Sequence, residues 1–115
     1  MKMIWAVIRP ESAQRVIKAL DLAGIGGITR LHVTGHGKEM GITLGEIHYT
    51  EIPKEMLMIV VSDNEVAKTV TIIRTEAKTA SKNATGEGTI GDGKIFITYV
   101  DDAFAIRTAG KEGRG

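Results

Sequence analysis

Two segments of the chain, 2–23 and 56–78, repeat one pattern, in which an apolar strand is followed by an amphipathic helix. In each copy the strand is apolar on both faces, which is typical of a strand buried inside a sheet. A further strand follows each copy, so the order of elements is β-α-β-β-α-β. The four predicted strands span 2–8, 28–34, 56–61 and 94–100.

Each predicted helix has a start signal and one apolar stripe. Pro10 followed by Glu11 favours a helix start with an acidic first turn, and Gly24 is expected to be a C-terminal cap. Ser62 or Asp63 is the expected N-cap of the second helix. The stripe residues are Ala13, Val16, Ile17, Leu20 and Ala23 in the first helix, and Val66, Val70, Ile73 and Ala77 in the second.

This order of elements predicts an α+β fold of the ferredoxin-like (split βαβ) class. Right-handed crossovers place both helices on one face of a four-stranded antiparallel sheet. The other face is left uncovered, although the first and third strands are apolar at nearly every position. An uncovered apolar face of this size predicts that the protein assembles into oligomers.

Composition excludes several classes of protein. The 115 residues suffice for one domain, and the absence of cysteine excludes disulfides, thiolate nucleophiles and cysteine zinc sites. Fifteen basic and fourteen acidic residues give a net charge of +1, which argues against bulk electrostatic binding to nucleic acid or anionic membranes. No apolar run approaches the ~18–20 residues of a membrane span, and the N-terminus does not resemble a signal peptide. We therefore expect a cytoplasmic protein without direct membrane insertion.

Glycine is enriched, at 14 of the 115 residues, against a usual level of about 7%. Most of the glycines fall in clusters, two of which lie in the segments 35–53 and 79–93. These segments also carry other turn-forming residues, so 35–53 is predicted to be a loop or a long hairpin tip and 79–93 a long loop. Because binding residues concentrate on loops, we expect the functional site there.

The segment 88–95 has the spacing of a P-loop, G-x-x-x-x-G-K, but not its context. Ile95 stands where a P-loop requires Ser or Thr, and a strand follows instead of a helix, so a P-loop is rejected. Successive glycine amides still favour an anion-binding nest, to which Lys94 adds a positive charge. The alternative is a tight turn with a solvated lysine.

Two weaker signals also suit an anion. The segment 35–41 contains three glycines and Lys38 directly after a predicted strand, although a plain hairpin loop fits it equally well. Arg107 stands alone near the end of the chain, where it is either a bidentate phosphate ligand or a solvated side chain.

Further kinds of site find little support. His32 and His36 are four residues apart on a strand, about 13 Å and too far to share a metal ion, and His48 has no partner in sequence. No Ser/His/Asp arrangement or carboxylate pair has a spacing that indicates catalysis. An RNA-recognition domain shares this strand order, but it stacks bases on aromatic residues that the third strand lacks.

The motifs, taken in order, resemble the PII nitrogen-regulatory signalling proteins. They are Gly35-x-Gly37-Lys38, then Pro53-Lys54 before an apolar strand, then Thr89 to Ile97 (Thr-Ile-Gly-Asp-Gly-Lys-Ile-Phe-Ile), and finally Ile106-Arg107-Thr108. The resemblance covers essentially residues 1–108.

The resemblance implies a compact trimer with the exposed sheet faces packed inward, and a protein that is not an enzyme. PII proteins bind ATP or ADP between subunits, and with MgATP they bind 2-oxoglutarate. A T-loop docks on target proteins, a B-loop holds phosphates, and a C-loop reaches the neighbouring subunit. On this single-domain chain, 1–115, these are 37–53, 79–93 and 101–108, followed by a tail at 109–115.

Carried over position by position, the resemblance implies two overlapping sets of ligand residues. In the first set, Gly27, Ile28, Thr29 and Val60 frame the adenosine. The remaining nucleotide-binding residues are Gly35, Gly37, Lys38, Glu39, Ile90, Gly91, Asp92, Gly93, Lys94, Phe96 and Arg107. The residues implied to bind 2-oxoglutarate are Glu39, Met40, Gly41, Lys54 and Gly91, with Glu39 as the ligand of a magnesium ion shared with ATP.

The short T-loop, with its stretch 38–58, looks like that of the nitrogenase-linked archaeal branch of the family. The implied partners are therefore further copies of the chain, a sister PII subunit and nitrogenase. An ammonium transporter or glutamine synthetase is the alternative target. Tyr49 lies near a position that is nucleotidylated in some PII proteins, but this modification is not carried over to so short a loop.

Two interpretations outside ligand sensing stay open at the level of sequence. One is a small enzyme of the acylphosphatase type, which would use Arg9 after the first strand to grip a phosphate. The second is a structural trimer of the PII type that has lost its ligands.

Several positions depart from the family pattern. Glu39 replaces a glutamine that ligates magnesium, and a carboxylate sits poorly beside a dianionic ligand. Met58 replaces an acidic residue near the adenine, and Ala105 replaces the first of two arginines in the C-loop. The B-loop also carries extra residues within 79–88. We expect these changes to alter the strength of ligand binding.

Overall fold

The structure is a computed structural model. It describes residues 1–36, 51–79 and 86–109, together with the backbone of 42–44 and 47–49. Its elements, in chain order, are β1 (Lys2–Ile8), α1 (Pro10–Leu22), β2 (Ile28–His36), β3 (Ile42–Leu44), β4 (Ile47–Tyr49), β5 (Glu51–Val61), a 3-10 turn (Asp63–Glu65), α2 (Val66–Ala77) and β6 (Gly93–Tyr99).

The main sheet has four strands in the order β2-β5-β1-β6. All three pairings are antiparallel, with Ile4 opposite Ile59 on one side and opposite Ile97 on the other. The helices α1 and α2 pack against each other and against strands of this sheet. This is the ferredoxin-like α+β fold that the order of elements predicts.

The core lies between the helices and one face of the sheet, which we call the covered face. Its strand residues alternate with a period of two, as a half-buried sheet requires. The α1 stripe is buried as predicted at Ala13, Val16 and Leu20. In β1 and β5 the fully or almost fully buried residues are Ile4, Ala6, Ile8, Leu57, Ile59 and Val61.

No helix in the described part of the chain covers the opposite face of the sheet, which we call the open face. Residues of intermediate exposure alternate with the core residues along β1 and β5. Phe96 on β6 is 53% exposed and Leu31 on β2 is 37% exposed. The apolar residues that point this way on β1 and β5 are Met3, Trp5, Val7, Met56, Met58 and Val60.

The connections at the ends of α1 follow from local chemistry. Pro10 occupies the first helical position, where its missing N–H costs no hydrogen bond. After the helix, Gly24 has φ +81°, the left-handed conformation that glycine adopts without strain, and its N–H donates to the Asp21 carbonyl. The predicted glycine cap is therefore confirmed.

The second and third predicted strands are longer than the sequence indicates. β2 continues to His36 and β5 begins at Glu51, so most of the central loop predicted at 35–53 belongs to strands. Pro53 is tolerated in β5 because β1 pairs with β5 only from Glu55 onwards. A short ladder of β3 and β4 lies between them. Pairing with a partner strand, which local sequence does not encode, extends these elements.

The start of α2 also differs from the prediction. A 3-10 turn precedes it, and no side chain caps a backbone N–H there; the Ser62 hydroxyl instead contacts the Asn64 and Glu65 side chains. Thr69, absent from the predicted stripe, is fully buried because its hydroxyl donates to the Glu65 carbonyl.

Candidate functional site

A cleft of about 390 Å³ opens on the open face at the end of the sheet where β1 finishes. The strands β2 and β5 form one wall, and the residues before and within β6 form the other. The lining residues are Val7, Gly35, His36, Ile52, Lys54, Ile90, Gly91, Gly93, Lys94 and Phe96. We call this the open-face cleft.

Two glycines give the β6 wall its shape. Gly91 has φ +100° and Gly93 has φ +128°, conformations that other residues adopt only with strain. A Cβ atom on Gly93 would lie 2.0 Å from the Val7 carbonyl oxygen, so this position excludes every side chain. The Asp92 N–H donates to the Thr89 carbonyl and closes the turn before β6. The glycines therefore let the turn approach β1 closely.

Lys54 crosses the floor of the cleft. Its side chain is only 9% exposed, and its Nζ donates to the Gly91 carbonyl oxygen at 2.6 Å. A buried ammonium group requires such partners, because its desolvation is costly. A Cβ atom on Gly35 would lie 3.0 Å from the Lys54 Cγ, so the glycine makes room for the lysine to pass. The contact joins β5 to the turn before β6.

The Asp92 side chain ties the same turn to the rest of the protein. Its carboxylate accepts hydrogen bonds from the Arg9 Nε at 3.1 Å and from the Thr89 N–H at 2.9 Å. It also accepts from the Thr79 N–H at 2.9 Å and from the Thr79 hydroxyl. Burial disfavours the charged form, but these hydrogen bonds outweigh it and lower the pKa of Asp92 to about 2.

The electrostatics of the open-face cleft favour an anion. Lys54 and Lys94 both line it, and no acidic side chain is among its described lining residues. Asp92, the nearest carboxylate in sequence, is neutralised in part by its ion pair with Arg9. Two lysines beside a glycine-rich turn are suited to a phosphate or carboxylate group.

A second group of predicted residues lies at the opposite end of the sheet. Thr29 is six residues from Gly35 along β2, and Val60 is six from Lys54 along β5, about 20 Å in each case. Gly27, with φ +72°, precedes Thr29. The Ile28 side chain packs against the core, so only its backbone is available to a ligand. Within one chain, none of these residues lines the open-face cleft.

The remaining predicted residues are distributed as follows. Arg107 is exposed beyond β6, and Asp92 lies beside the cleft but not in its lining. Gly37, Lys38, Glu39, Met40 and Gly41 lie outside the described residues. The structure thus brings together Gly35, Lys54, Ile90, Gly91, Gly93, Lys94 and Phe96.

Sequence reasoning missed some residues of the site. Val7 lines the cleft from a strand that the sequence indicated simply as apolar, and His36 and Ile52 line it from the segment predicted as the loop 35–53. The sequence suggested Arg9 only as a phosphate ligand of an enzyme, whereas it is bound to Asp92 and to the Ile90 carbonyl. The register between β1 and β6 explains the position of Arg9, because the residue before it, Ile8, pairs with Gly93.

A larger cleft of about 560 Å³ lies on the helix side, between α2 and β6. Val70, Ile73 and Ala77 give it an apolar wall, and Arg74 and Lys78 lie at its rim. It shares Ile90, Gly93 and Lys94 with the open-face cleft, so the turn before β6 separates the two. We place the candidate site in the smaller cleft, because the residues of the sequence motifs converge there.

A buried carboxylate, Glu55, lies on the covered face at the β2 edge. The Arg30 guanidinium contacts its Oε1 at 3.3 Å and the His32 Nδ1 at 2.6 Å. The hydrogen bond from Arg30 lowers the pKa of Glu55, and the contact with His32 acts in the same direction. The sheet separates this cluster from the open-face cleft, so the cluster is not part of the candidate site.

The described residues hold neither a cluster of metal ligands nor a membrane-spanning helix. No group of three His, Asp or Glu side chains within 1–36, 51–79 and 86–109 is placed to hold a metal ion. No helix in the described part of the chain has both the length and the apolar character needed to cross a bilayer. The predicted magnesium ligand, Glu39, lies outside this part.

The fold and cleft together define a class: a small ferredoxin-like protein with a glycine-rich, lysine-lined cleft at one end of its sheet. The family model "Nitrogen regulatory protein P-II" matches residues 1–110. The chain therefore belongs to the PII (P-II) family.

Curated relatives agree with this assignment. A "Nitrogen fixation nifHD region GlnB-like protein 1" of Methanothermobacter marburgensis is 46% identical over 94% of this chain and 95% of its own length. A protein of the same name from Methanococcus maripaludis is 43% identical over the same shares. The "Nitrogen regulatory protein P-II 2" of Methanothermobacter thermautotrophicus is 41% identical over 99% of this chain and 95% of its own length.

Members of the PII family are signalling regulators and not enzymes. They form trimers, and they bind ATP or ADP and 2-oxoglutarate as effectors. Two of these relatives carry the words "Nitrogen fixation nifHD region" in their names. Nitrogen regulation is therefore the general role of this chain.

Proposed function

We propose that this protein is a trimeric sensor of ATP or ADP and of 2-oxoglutarate, which regulates nitrogen fixation by docking its T-loop on nitrogenase. The open-face cleft is the observation that carries the proposal. It combines a glycine turn, a buried lysine and a second lysine, which is the chemistry that a phosphate chain or a dicarboxylate requires.

The positions of the two residue groups support a site shared between subunits. Thr29 and Val60 lie about 20 Å from the cleft on the same face of the sheet. If open faces pack together, the far end of one sheet can meet the cleft of its neighbour. Arg107, exposed beyond β6, can reach across in the same way. Adenosine and phosphates would then contact different chains.

Lys54 is suited to bind a carboxylate of 2-oxoglutarate. Its ammonium group already lies in the cleft and contacts the Gly91 carbonyl, beside the turn that would hold the phosphates. When 2-oxoglutarate binds, the Lys54 ammonium group would exchange the neutral carbonyl for a charged carboxylate, which is a stronger hydrogen-bond partner. Glu39, the proposed magnesium ligand, would weaken 2-oxoglutarate binding because it adds negative charge beside a dianion.

Calorimetry tests ligand sensing directly. We expect ATP and ADP to bind the wild-type trimer, and 2-oxoglutarate to bind only after saturation with MgATP. Replacing Glu39 by Gln should strengthen 2-oxoglutarate binding in the same titration. Absence of nucleotide binding would refute the sensor, whereas equal 2-oxoglutarate affinities would refute only the role of Glu39.

The target is tested separately by copurification. Nitrogenase is the first candidate, since relatives are named for nifHD regions. We expect dinitrogenase to copurify with the tagged trimer, with a sister PII subunit present, and 2-oxoglutarate to release it. An ammonium transporter or glutamine synthetase is the second candidate, because one relative carries the general name "Nitrogen regulatory protein P-II 2", which does not mention nitrogen fixation. Retention of one of these in place of dinitrogenase would support that second candidate.

A further inference from the structure

The carboxylate of Asp92 faces away from the open-face cleft, although its neighbours in sequence line it. Gly91, Gly93 and Lys94 are lining residues of that cleft and Asp92 is not. The Asp92 side chain is 16% exposed. It is therefore poorly placed to contact a ligand in the open-face cleft, where its charge would also repel phosphate, and it lines the larger cleft on the helix side instead. Its contacts within the protein point to an indirect role.

Asp92 joins three separate parts of the chain. Arg9 follows β1, Thr79 follows α2, and Thr89 begins the turn before β6; all three donate to its two oxygens. The Arg9 Nη2 also donates to the Ile90 carbonyl at 3.0 Å, so one guanidinium holds the carboxylate and the turn backbone together. We call the group of Asp92 and its three donors the clasp.

The packing around the clasp leaves little room for change. A Cβ atom on Gly88 would lie 2.1 Å from the Asp92 Oδ2 and 2.8 Å from the Lys78 Cγ. The glycine therefore lets the carboxylate reach the Thr79 and Thr89 N–H groups. The lowered pKa of Asp92 agrees with a carboxylate held by several donors.

We propose that Asp92 is a positioning residue. Through the clasp, which includes Arg9, it holds the turn at 89–93 in the conformation that receives phosphates. The inference rests on the proposed nucleotide site and assigns Asp92 an indirect role in it. Glycines at positions 91 and 93 permit the turn but do not fix it, because glycine has many accessible conformations. The clasp restricts them before a ligand arrives, and such preorganisation raises affinity.

The test compares the wild-type protein with Asp92→Asn and Arg9→Ala. Amide hydrogen exchange without ligand reports on the turn itself. We expect exchange at 86–93 to accelerate about tenfold or more in both variants, the equivalent of losing one charge-assisted hydrogen bond. Exchange in β1 and β5 should stay at the wild-type rate. Asp21→Asn and Lys18→Ala, which change exposed residues on α1, are the matched controls.

Ligand affinity then separates positioning from general weakening of the fold. We expect both variants to bind ATP about tenfold more weakly and AMP less than twofold more weakly, because the turn holds the phosphate chain. The double variant should bind ATP no more weakly than either single variant, since both changes open one clasp.

Each outcome has one meaning. Unchanged exchange at 86–93, or faster exchange with wild-type ATP affinity, would overturn the positioning role. Equal losses for ATP and AMP would show a general loss of structure and would also overturn it. Failure of the wild-type protein to bind ATP would refute the proposed function instead, and the exchange data would still decide whether the clasp orders the turn.

Discussion

The covered and open faces of the sheet have similar apolar sequences but different surroundings. Ile59 on the covered face is fully buried within the chain, whereas its neighbours Met58 and Val60 on the open face remain partly exposed. The covered face gains its stability from α1 and α2. Within residues 1–36, 51–79 and 86–109 the open face has no such cover, and it carries the candidate cleft at one end. Apolar character alone therefore does not identify which face forms the core of a single chain.

Because only one face is covered within the chain, the covered face contributes to folding and the open face to the assembly of subunits. Burial on the covered face stabilises the fold itself, at about 25 cal/mol per Å² of apolar area. Burial on the open face requires further subunits, which the family forms as trimers. Changes on the two faces should therefore have separable consequences, and we describe four from the largest expected effect to the smallest.

Met56→Glu should abolish assembly. Met56 lies at the centre of the open face, opposite Val7 on β1 and Leu31 on β2. A carboxylate there would have to be desolvated in a trimer, and the cost exceeds what one interface side chain contributes. Light scattering after size exclusion should report a monomer. Leu22→Glu, at a residue 81% exposed on α1, is the control and should remain trimeric. A trimeric Met56→Glu variant would show that the open face is not the interface.

Ile59→Ala should lower the free energy of unfolding by about 2–5 kcal/mol, because it leaves a cavity in the core. Denaturant unfolding at several protein concentrations measures the loss. For Ile59→Ala the loss should be independent of concentration, since the cavity lies within one chain. For Met58→Ala, the adjacent residue on the open face, the loss should shrink as dilution favours monomers, because the open face is buried only in the assembly. The same concentration dependence for both variants would contradict the separation of the two faces.

Lys94→Ala and Arg107→Ala should each weaken ATP binding by about 1.5–3 kcal/mol, the value of a hydrogen bond to a charged group. Calorimetry measures the change, and Lys18→Ala on the exposed surface of α1 is the control. Mixed trimers sharpen the test. If Arg107 acts from the neighbouring chain, trimers that mix Lys94→Ala chains with Arg107→Ala chains should contain some intact sites. Such a site combines the Lys94 of one chain with the Arg107 of its neighbour. Wild-type ATP affinity in both variants would place the phosphates elsewhere.

The ionisation of the Asp92 carboxylate should make the stability of the fold depend on pH in the acid range. Its pKa is about 2 in the folded state, below the ordinary value of 3.8. A carboxylate whose pKa is lower in the folded than in the unfolded state stabilises the fold at pH values above the unfolded-state pKa. This contribution is lost as the pH falls from about 4 towards 2. The difference in melting temperature between wild type and Asp92→Asn should shrink over that range. Asp21→Asn should show no such change, and a constant difference for Asp92→Asn would exclude ionisation as the cause.

Sequence patterns predicted the elements where local chemistry decides them. Pro10 and Gly24 marked the ends of α1, and the twice-repeated strand and helix indicated the topology. Strand ends were less predictable: β5 begins at Glu51, before Pro53. A proline reads locally as a loop, whereas its tolerance depends on which edge of the strand is paired.

The candidate site was predictable in its motifs but not in its arrangement. The Thr89–Ile97 signature and Lys54 indicated the residues that converge on the open-face cleft. The signature groups Asp92 with the other residues that the resemblance implies to bind nucleotide, but it does not indicate the contacts of the Asp92 side chain. Only the folded chain shows its carboxylate bound to Arg9, which is distant in sequence.

The sequence by itself determined the family, the order of elements and the chemistry of the cleft, because these depend on residue type and local spacing. The tertiary structure decided which apolar face is covered, which carboxylate is held inside the protein, and that the predicted site divides into groups at opposite ends of the sheet. The physical reason is that these features depend on strand register and long-range contact. Ile8 beside Gly93 and Gly35 beneath Lys54 are contacts of this kind.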